Sequence, residues 1–405
     1  MREAIVALAL VVACRGGCSQ PAPTAHHEAG RDGGPASLVP RLPRSDDPAL
    51  ALQELDAAVA IYRQRDQLGE AVAALLDRAA VKGQLEDFQD ALALSAKYVE
   101  REPNQVAAWR SRFAALSRVH RFADARAALA EIAKRSLNRT HWEDLEAQLD
   151  EATGKSSLAT RESLVKRWGS PTNVVSYAAS LALEGRLDDA LAVMPRAAAA
   201  VRDTRPALYE FILFQWGRLY ELKGEMAAAR ELYAAAHARL PALEATTHLA
   251  RAMMATGDRD GARQLVDAAL AQDRHPELLE LAGELDGNPA HVAEAKREWE
   301  RYVAALPEAF SDHAARFYLA GGADPARALV LARANLANRD TREARALVVE
   351  AALAAKDSHA ACEAVGPLLA PAALRSQQFV AWRALTACGR TDEAKRLAAN
   401  LGIAH

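Results

Sequence analysis

One small residue returns through this chain at a nearly constant step. Ala91, Ala125, Ala159, Ala190, Ala229, Ala262, Ala295, Ala328, Cys362 and Ala394 are separated by 34, 34, 31, 39, 33, 33, 33, 34 and 32 residues. Each follows a turn and stands early in a segment whose apolar residues recur at helical spacing. A phase held over ten units marks an array in which one supersecondary unit is stacked on copies of itself. Such a unit cannot bury its apolar stripe alone, so its neighbours bury it and the chain grows in one dimension. This constraint overrides length, since 405 residues at about 150 per domain would otherwise suggest two or three domains.

Composition says what the unit is made of. Apolar residues reach 51% while aromatics are only 5%, and Ala is the commonest. Helices that meet on small contact residues use such a mixture, whereas a β-sandwich needs β-branched and aromatic side chains. From residue 47 onward, helical segments alternate with short breaks rich in Gly, Asn, Asp and Pro. Lys and Arg number 50 against 53 Asp and Glu, a net charge of −3, without the basic stripe of a nucleic-acid binder. No nucleic-acid partner is expected.

The clearest unit is 210–243, EFILFQWGRLYELKGEMAAARELYAAAHARLPAL. With Glu210 as position 1, Gly217 falls at 8, Ala229 at 20, Ala236 at 27 and Pro241 at 32. The same phase puts Pro103, Pro171 and Pro307 at position 32, Trp109 at position 4 of the second unit and Gly283 at position 8 of the seventh. This pattern resembles the tetratricopeptide repeat, a 34-residue helix–turn–helix family. The resemblance implies an all-α, right-handed superhelical solenoid of about ten stacked hairpins with an open concave trough. Small residues at 8, 20 and 27 are where paired helices touch, and Pro at 32 ends the second helix. Position 8 departs from the pattern at Phe113, Arg316, Glu350 and Trp382, with Ala315 restoring it after a one-residue shift. The expected division is 47–71 for N-terminal capping helices and 72–405 for the repeats.

In the family, positions 2, 5, 9 and 12 face the concave wall and bind an extended peptide or another protein. Carried onto this chain, they nominate Phe211, Phe214 and Arg218 with Glu221, then Glu244, Thr247, Arg251 and Met254, then the aromatic patch Phe310, His313 and Phe317. Arg218 and Arg251 hold equivalent positions on adjacent helices and could converge on one carboxylate. Packing between hairpins is the competing role for these Phe side chains, and pairing with Glu for these Arg. The family's chaperone-type clamp, Lys and Asn at positions 5 and 9, does not occur here in that arrangement. Glu277, Glu280 and Glu284 form one acidic helical stripe, read as a solvated or partner-facing surface.

The first twenty residues read as an export signal. Arg2 precedes ten apolar residues ending at Ala13, too few for the about 20 that span a bilayer. Val11-Val12-Ala13-Cys14 resembles a bacterial lipobox, so Cys14 is the expected acylated residue, with Cys18 as its rival and a non-lipidated signal as the alternative. Residues 21–46 lack helical or strand periodicity and read as a flexible tether. His26-His27 in that stretch reads as solvated, and no metal or cofactor is expected. The chain would then stand in the periplasm on a lipid anchor, in the outer membrane by preference.

No HExxH, GxSxG, GxxxxGK[ST] or CxxC motif occurs, and no GxGxxG opens a helix after a strand. The expected function is therefore non-enzymatic: a protein-interaction scaffold of the bacterial cell envelope that takes a partner protein or peptide. A self-assembling structural protein and an accessory subunit of a secretion or polysaccharide-export machine are the alternatives. Cys362 and Cys388 fall near the same helix ends and either pair in an oxidising compartment or stay as buried thiols.

Overall fold

The structure, a computed structural model, describes residues 38–40 and 47–403 apart from 137 and 203. The export signal 1–20, Cys14 with its rival Cys18, and most of the tether 21–46 lie outside the described residues. Helix α1 (Pro48–Gln64) stands alone ahead of ten hairpins. The first five pair α2 (Leu68–Lys82) with α3 (Leu85–Arg101), α4 (Val106–Arg118) with α5 (Phe122–Arg135), α6 (Glu143–Ala152) with α7 (Leu158–Trp168), α8 (Pro171–Leu183) with α9 (Leu187–Ala199), and α10 (Pro206–Lys223) with α11 (Met226–Arg239). The rest pair α12 (Leu243–Ala255) with α13 (Arg259–Leu270), α14 (Pro276–Asp286) with α15 (Pro289–Ala305), α16 (Pro307–Leu319) with α17 (Pro325–Asn338), α18 (Arg342–Ala354) with α19 (Ser358–Ala364), and α20 (Arg375–Ala387) with α21 (Thr391–Leu401). No strand occurs among the described residues. The fold is an all-α superhelical solenoid of stacked helical hairpins.

Local chemistry sets the helix ends. Pro171 and Pro307 do more than end the preceding helix: each opens the next one, where a missing N–H costs nothing. Gly83, Gly224 and Gly287 close α2, α10 and α14 in the left-handed conformation, which lets the chain reverse without a Cβ penalty. Ala125, Ala190, Ala229, Ala262 and Ala328 are the fourth residues of α5, α9, α11, α13 and α17, each 0% exposed. A Cβ on Gly217 would lie 2.7 Å from the Tyr233 ring, so a bare backbone is what lets α10 approach α11 there.

The phase slips at identifiable places. Ala159 is exposed; its contact position belongs to Arg161, fourth in α7 and 2% exposed. Arg161 donates to Glu151 on α6 through Nη2 at 2.8 Å and Nε at 3.1 Å, and also pairs with Asp144. In the last three hairpins the inward contact sits one residue earlier than a strict count gives: Ala315, Val349 and Ala381 are each 0% exposed in place of Arg316, Glu350 and Trp382. The ninth hairpin likewise buries Ala361 instead of Cys362. Cys362 is joined to Cys388 with Cα atoms 6.3 Å apart, stapling α19 to the end of α20.

The expected open trough is where the structure differs most. Successive turns of the superhelix touch. Asn338 Nδ2 donates to the His120 carbonyl at 2.9 Å, His120 Nδ1 lies 3.2 Å from the Glu308 carbonyl, and Arg301 pairs with Glu86 at 2.7 Å. Phe88 meets Phe310 edge-on at 5.8 Å. The hydrogen bonds of this kind join residues 188 to 219 apart, about six hairpins at roughly 34 residues each. The turns inside the early hairpins rest on the loops that connect later ones, so one edge of the ribbon seals against the other. Glycine makes that approach possible: a Cβ on Gly185 would lie 2.8 Å from the Ala372 carbonyl oxygen, and one on Gly154 would overlap that of Asp340.

Candidate functional site

Because the turns close on each other, the first helix of each hairpin faces an interior. At its N-terminal end, α1, α2 and α4 face α10 and the start of α12 across a cavity of about 1010 Å³. Ala73, Ala80 and Ala107 line it opposite Phe211 and Phe214. Short side chains on one wall create the space, and the two Phe rings give the other wall an apolar surface.

Its polar groups are one-sided. Among the described residues, Glu54, Glu70, Asp77, Glu210 and Glu244 line the cavity against a single cation, Arg205. Burial raises Glu210 well above the ordinary carboxylate range, and neighbouring Glu244 raises it further. Burial also raises Asp77, against the pull of Arg118 and Arg205. Glu244 shifts upward through burial and then through Glu277, with Arg118 opposing.

Deeper along the interior the charges are balanced. Glu221 accepts from His248 Nδ1 at 2.9 Å, from Arg218 Nη1 at 3.2 Å and from the Tyr233 hydroxyl. Burial would raise Glu221, but His248, Arg218 and Tyr233 outweigh it and hold the carboxylate ionised. Phe214 packs on both rings of this knot, 5.5 Å from Tyr233 and 5.2 Å from His248. Between the next two inner helices, α14 and α16, His313 Nδ1 lies 2.7 Å from Glu277 Oε1 and its ring stacks on Trp299 at 5.9 Å. Asp312 beside it binds Arg339 at 2.5 Å.

Burial opposes charge on His313, but Asp312, the bond to Glu277 and Glu244 outweigh it and raise the imidazole to about 9. A raised imidazole stabilises the fold fully below its unfolded value near 6.5 and loses that contribution as pH climbs through about 9. His313→Gln is therefore expected to cost on the order of 2 kcal/mol at pH 6 and much less at pH 10. Denaturant unfolding of both proteins across that range checks it; a gap that widens with pH would contradict the assignment.

The nominated residues thus divide. Phe211 and Phe214 line the cavity. Arg218 is bonded to Glu221, so it is already committed to a carboxylate of the protein itself, while Arg251 contributes charge that helps to lower Glu277. Thr247 and Phe317 are 0% exposed and out of a ligand's reach. Phe310 seals the contact between turns, and His313 pairs internally. The acidic stripe divides: Glu277 pairs with His313 and Glu280 is buried, while Glu284 stays exposed. Sequence reasoning overlooked Asp77 and Glu210 as wall residues. Glu210 stood in plain view as the first residue of the best-matched unit, but only closure of the solenoid shows that this position borders a cavity.

No family model matches the sequence, and no curated protein matches it. Among solved structures it is similar to the APC/C hetero-tetramer Cut9-Hcn1 (12% identity over 87% of this chain and 77% of that one, TM-score 0.42) and to yeast Tom70 (11%, 89% and 93%, TM-score 0.35). A tetratricopeptide repeat protein from Parabacteroides merdae is similar at 15% identity, with 75% of this chain and 98% of that one covered, TM-score 0.37.

Proposed function

We propose that this chain, a tetratricopeptide-type solenoid by its own hairpin geometry, is a non-enzymatic protein-interaction scaffold. It would hold an extended segment of a partner in the cavity between α1, α2, α4 and α10. The cavity itself carries this reading: about 1010 Å³ walled by the inward helices of two parts of the array. Ala and Phe side chains make up much of its described lining. The apolar rings beside Ala and a few carboxylates suit recognition. The cell-envelope part of the proposal rests on the leader and Cys14 in the sequence.

Ala107 lies on the cavity wall with an exposed side chain, so Ala107→Trp fills the space with little disturbance of the helix contacts. Full-length protein in bacterial membranes should crosslink to a defined envelope partner, and Ala107→Trp should abolish that crosslink while circular dichroism stays unchanged. Fatty-acid labelling should disappear in Cys14→Ser and persist in Cys18→Ser. An unchanged crosslink in Ala107→Trp would remove the cavity as the docking site; a self-association blocked by the same change would make a second copy the occupant.

A further inference from the structure

We propose that the cavity is built for a cationic guest: a Lys or Arg side chain carried on an otherwise apolar, extended peptide, with Glu210 as the anchoring carboxylate. This rests on the interior docking described above and specifies its chemistry.

The reasoning starts from how this protein treats buried acids. Asp87 is paired with Arg78, Glu143 with Arg167, Glu151 with Arg161, Glu221 with Arg218, and Asp312 with Arg339. Glu280 also has a partner. Glu210 is the exception among the described residues: it is 7% exposed, borders the cavity, and makes no hydrogen bond or ion pair. A buried carboxylate without a partner is strongly disfavoured. A chain that pairs its other fully buried acids and leaves Glu210, with Glu244 beside it, facing a cavity points to a counter-charge supplied from outside.

The surroundings agree in sign. Four further carboxylates line the same cavity, and the one cation among its described lining residues, Arg205, already has interactions of its own. Arg118 acts on both Glu244 and Asp77 from beyond the wall. Low-dielectric walls concentrate that negative field on whatever enters. Leu50, Leu55, Phe211 and Phe214 offer contact for an apolar body, while Tyr62 and Tyr98 add ring faces suited to a cation. The volume lies at the upper end of the about 300–1,000 Å³ typical of small-molecule pockets, which favours several residues of peptide over a lone amine.

The test is calorimetric titration of the full chain with three acetylated, amidated hexapeptides of alternating Ala and Leu that carry a central Lys, norleucine or Glu. The Lys peptide should bind about tenfold tighter than the norleucine one, weaken as salt rises, and exceed the Glu peptide further still. Glu210→Gln should remove that tenfold preference while keeping or raising the melting temperature, because a neutral amide of the same shape replaces a buried carboxyl that has no counter-charge. Equal binding of Lys and norleucine peptides, or a preference that survives Glu210→Gln, overturns the cationic guest. If binding is then still lost in Ala107→Trp, interior docking stands without it; if Ala107→Trp leaves all peptide binding intact, both readings fall. Binding of n-butylamine as tight as that of the Lys peptide would overturn the peptide and leave a small amine as the guest.

Discussion

Arg161→Leu is expected to destabilise the third hairpin by about 3–5 kcal/mol, because it leaves a buried carboxylate without its counter-charge. Glu151 is 9% exposed and accepts from Arg161 and from the Ser157 and Ser180 hydroxyls. The hydroxyls cannot replace a full positive charge in that environment. The double change Arg161→Leu with Glu151→Leu should recover much of the loss, since a buried ion pair roughly breaks even against apolar residues of similar size. In a solenoid each unit leans mainly on its neighbours, so the damage should stay local. Native-state hydrogen exchange should quicken in α6, α7 and α8 while α12 and α13, which lie away from that hairpin's contacts, keep their protection. A single variant within about 1 kcal/mol of the parent, beyond the effect of an ordinary surface substitution, would show that the pair is not the hairpin's main tie.

The same residue shows how far the sequence could be read. A repeat is legible because the small contact residue is needed wherever two helices touch, and eight of the ten positions assigned by spacing are buried Ala. At the third hairpin the spacing settled on Ala159, two residues before the true contact, because a charged Arg161 does not look like a contact residue until its partners are known. Glu151 and Ser180, ten positions before and nineteen after it, carry no periodic signal that ties them to it. The slip in the last hairpins is local: Ala315 and Ala381 stand 13 residues before Ala328 and Ala394 where Gly217 stands 12 before Ala229, while Val349 keeps the 12 once Ala361 takes the place of Cys362. Curvature was illegible for a different reason. It sums small rotations over many units, and whether the ribbon stays open or closes depends on contacts such as Phe88 with Phe310 that no single repeat encodes. The nominated Phe211 and Phe214 proved to be wall residues because the facing positions belong to the repeat itself. Phe310 and Phe317 belong to packing because closure of the turns consumes that face.

Closure leads to the second large effect. Gly154 and Gly257 both stand in turns within hairpins and both have positive φ, +87° and +90°. Ala at either position therefore bears the same left-handed strain, about 1–2 kcal/mol. Their surroundings differ. Nothing lies within 4 Å of a Cβ on Gly257, whereas one on Gly154 would overlap the Asp340 carbonyl oxygen on the next turn of the superhelix. Gly154→Ala must push the two turns apart or distort both loops, and Gly154→Val more so. Small-angle scattering should then show a larger radius of gyration for both Gly154 variants, with Gly257→Ala indistinguishable from the parent despite its equal strain. Opening also weakens the enclosure that concentrates the field of Glu210 and its neighbours, so the Lys-peptide preference should fall in step with the expansion. Equal dimensions for all four proteins would mean that the turns are held together elsewhere, through Asn338 with His120 and Arg301 with Glu86, and that the bare backbone at Gly154 serves its own hairpin alone.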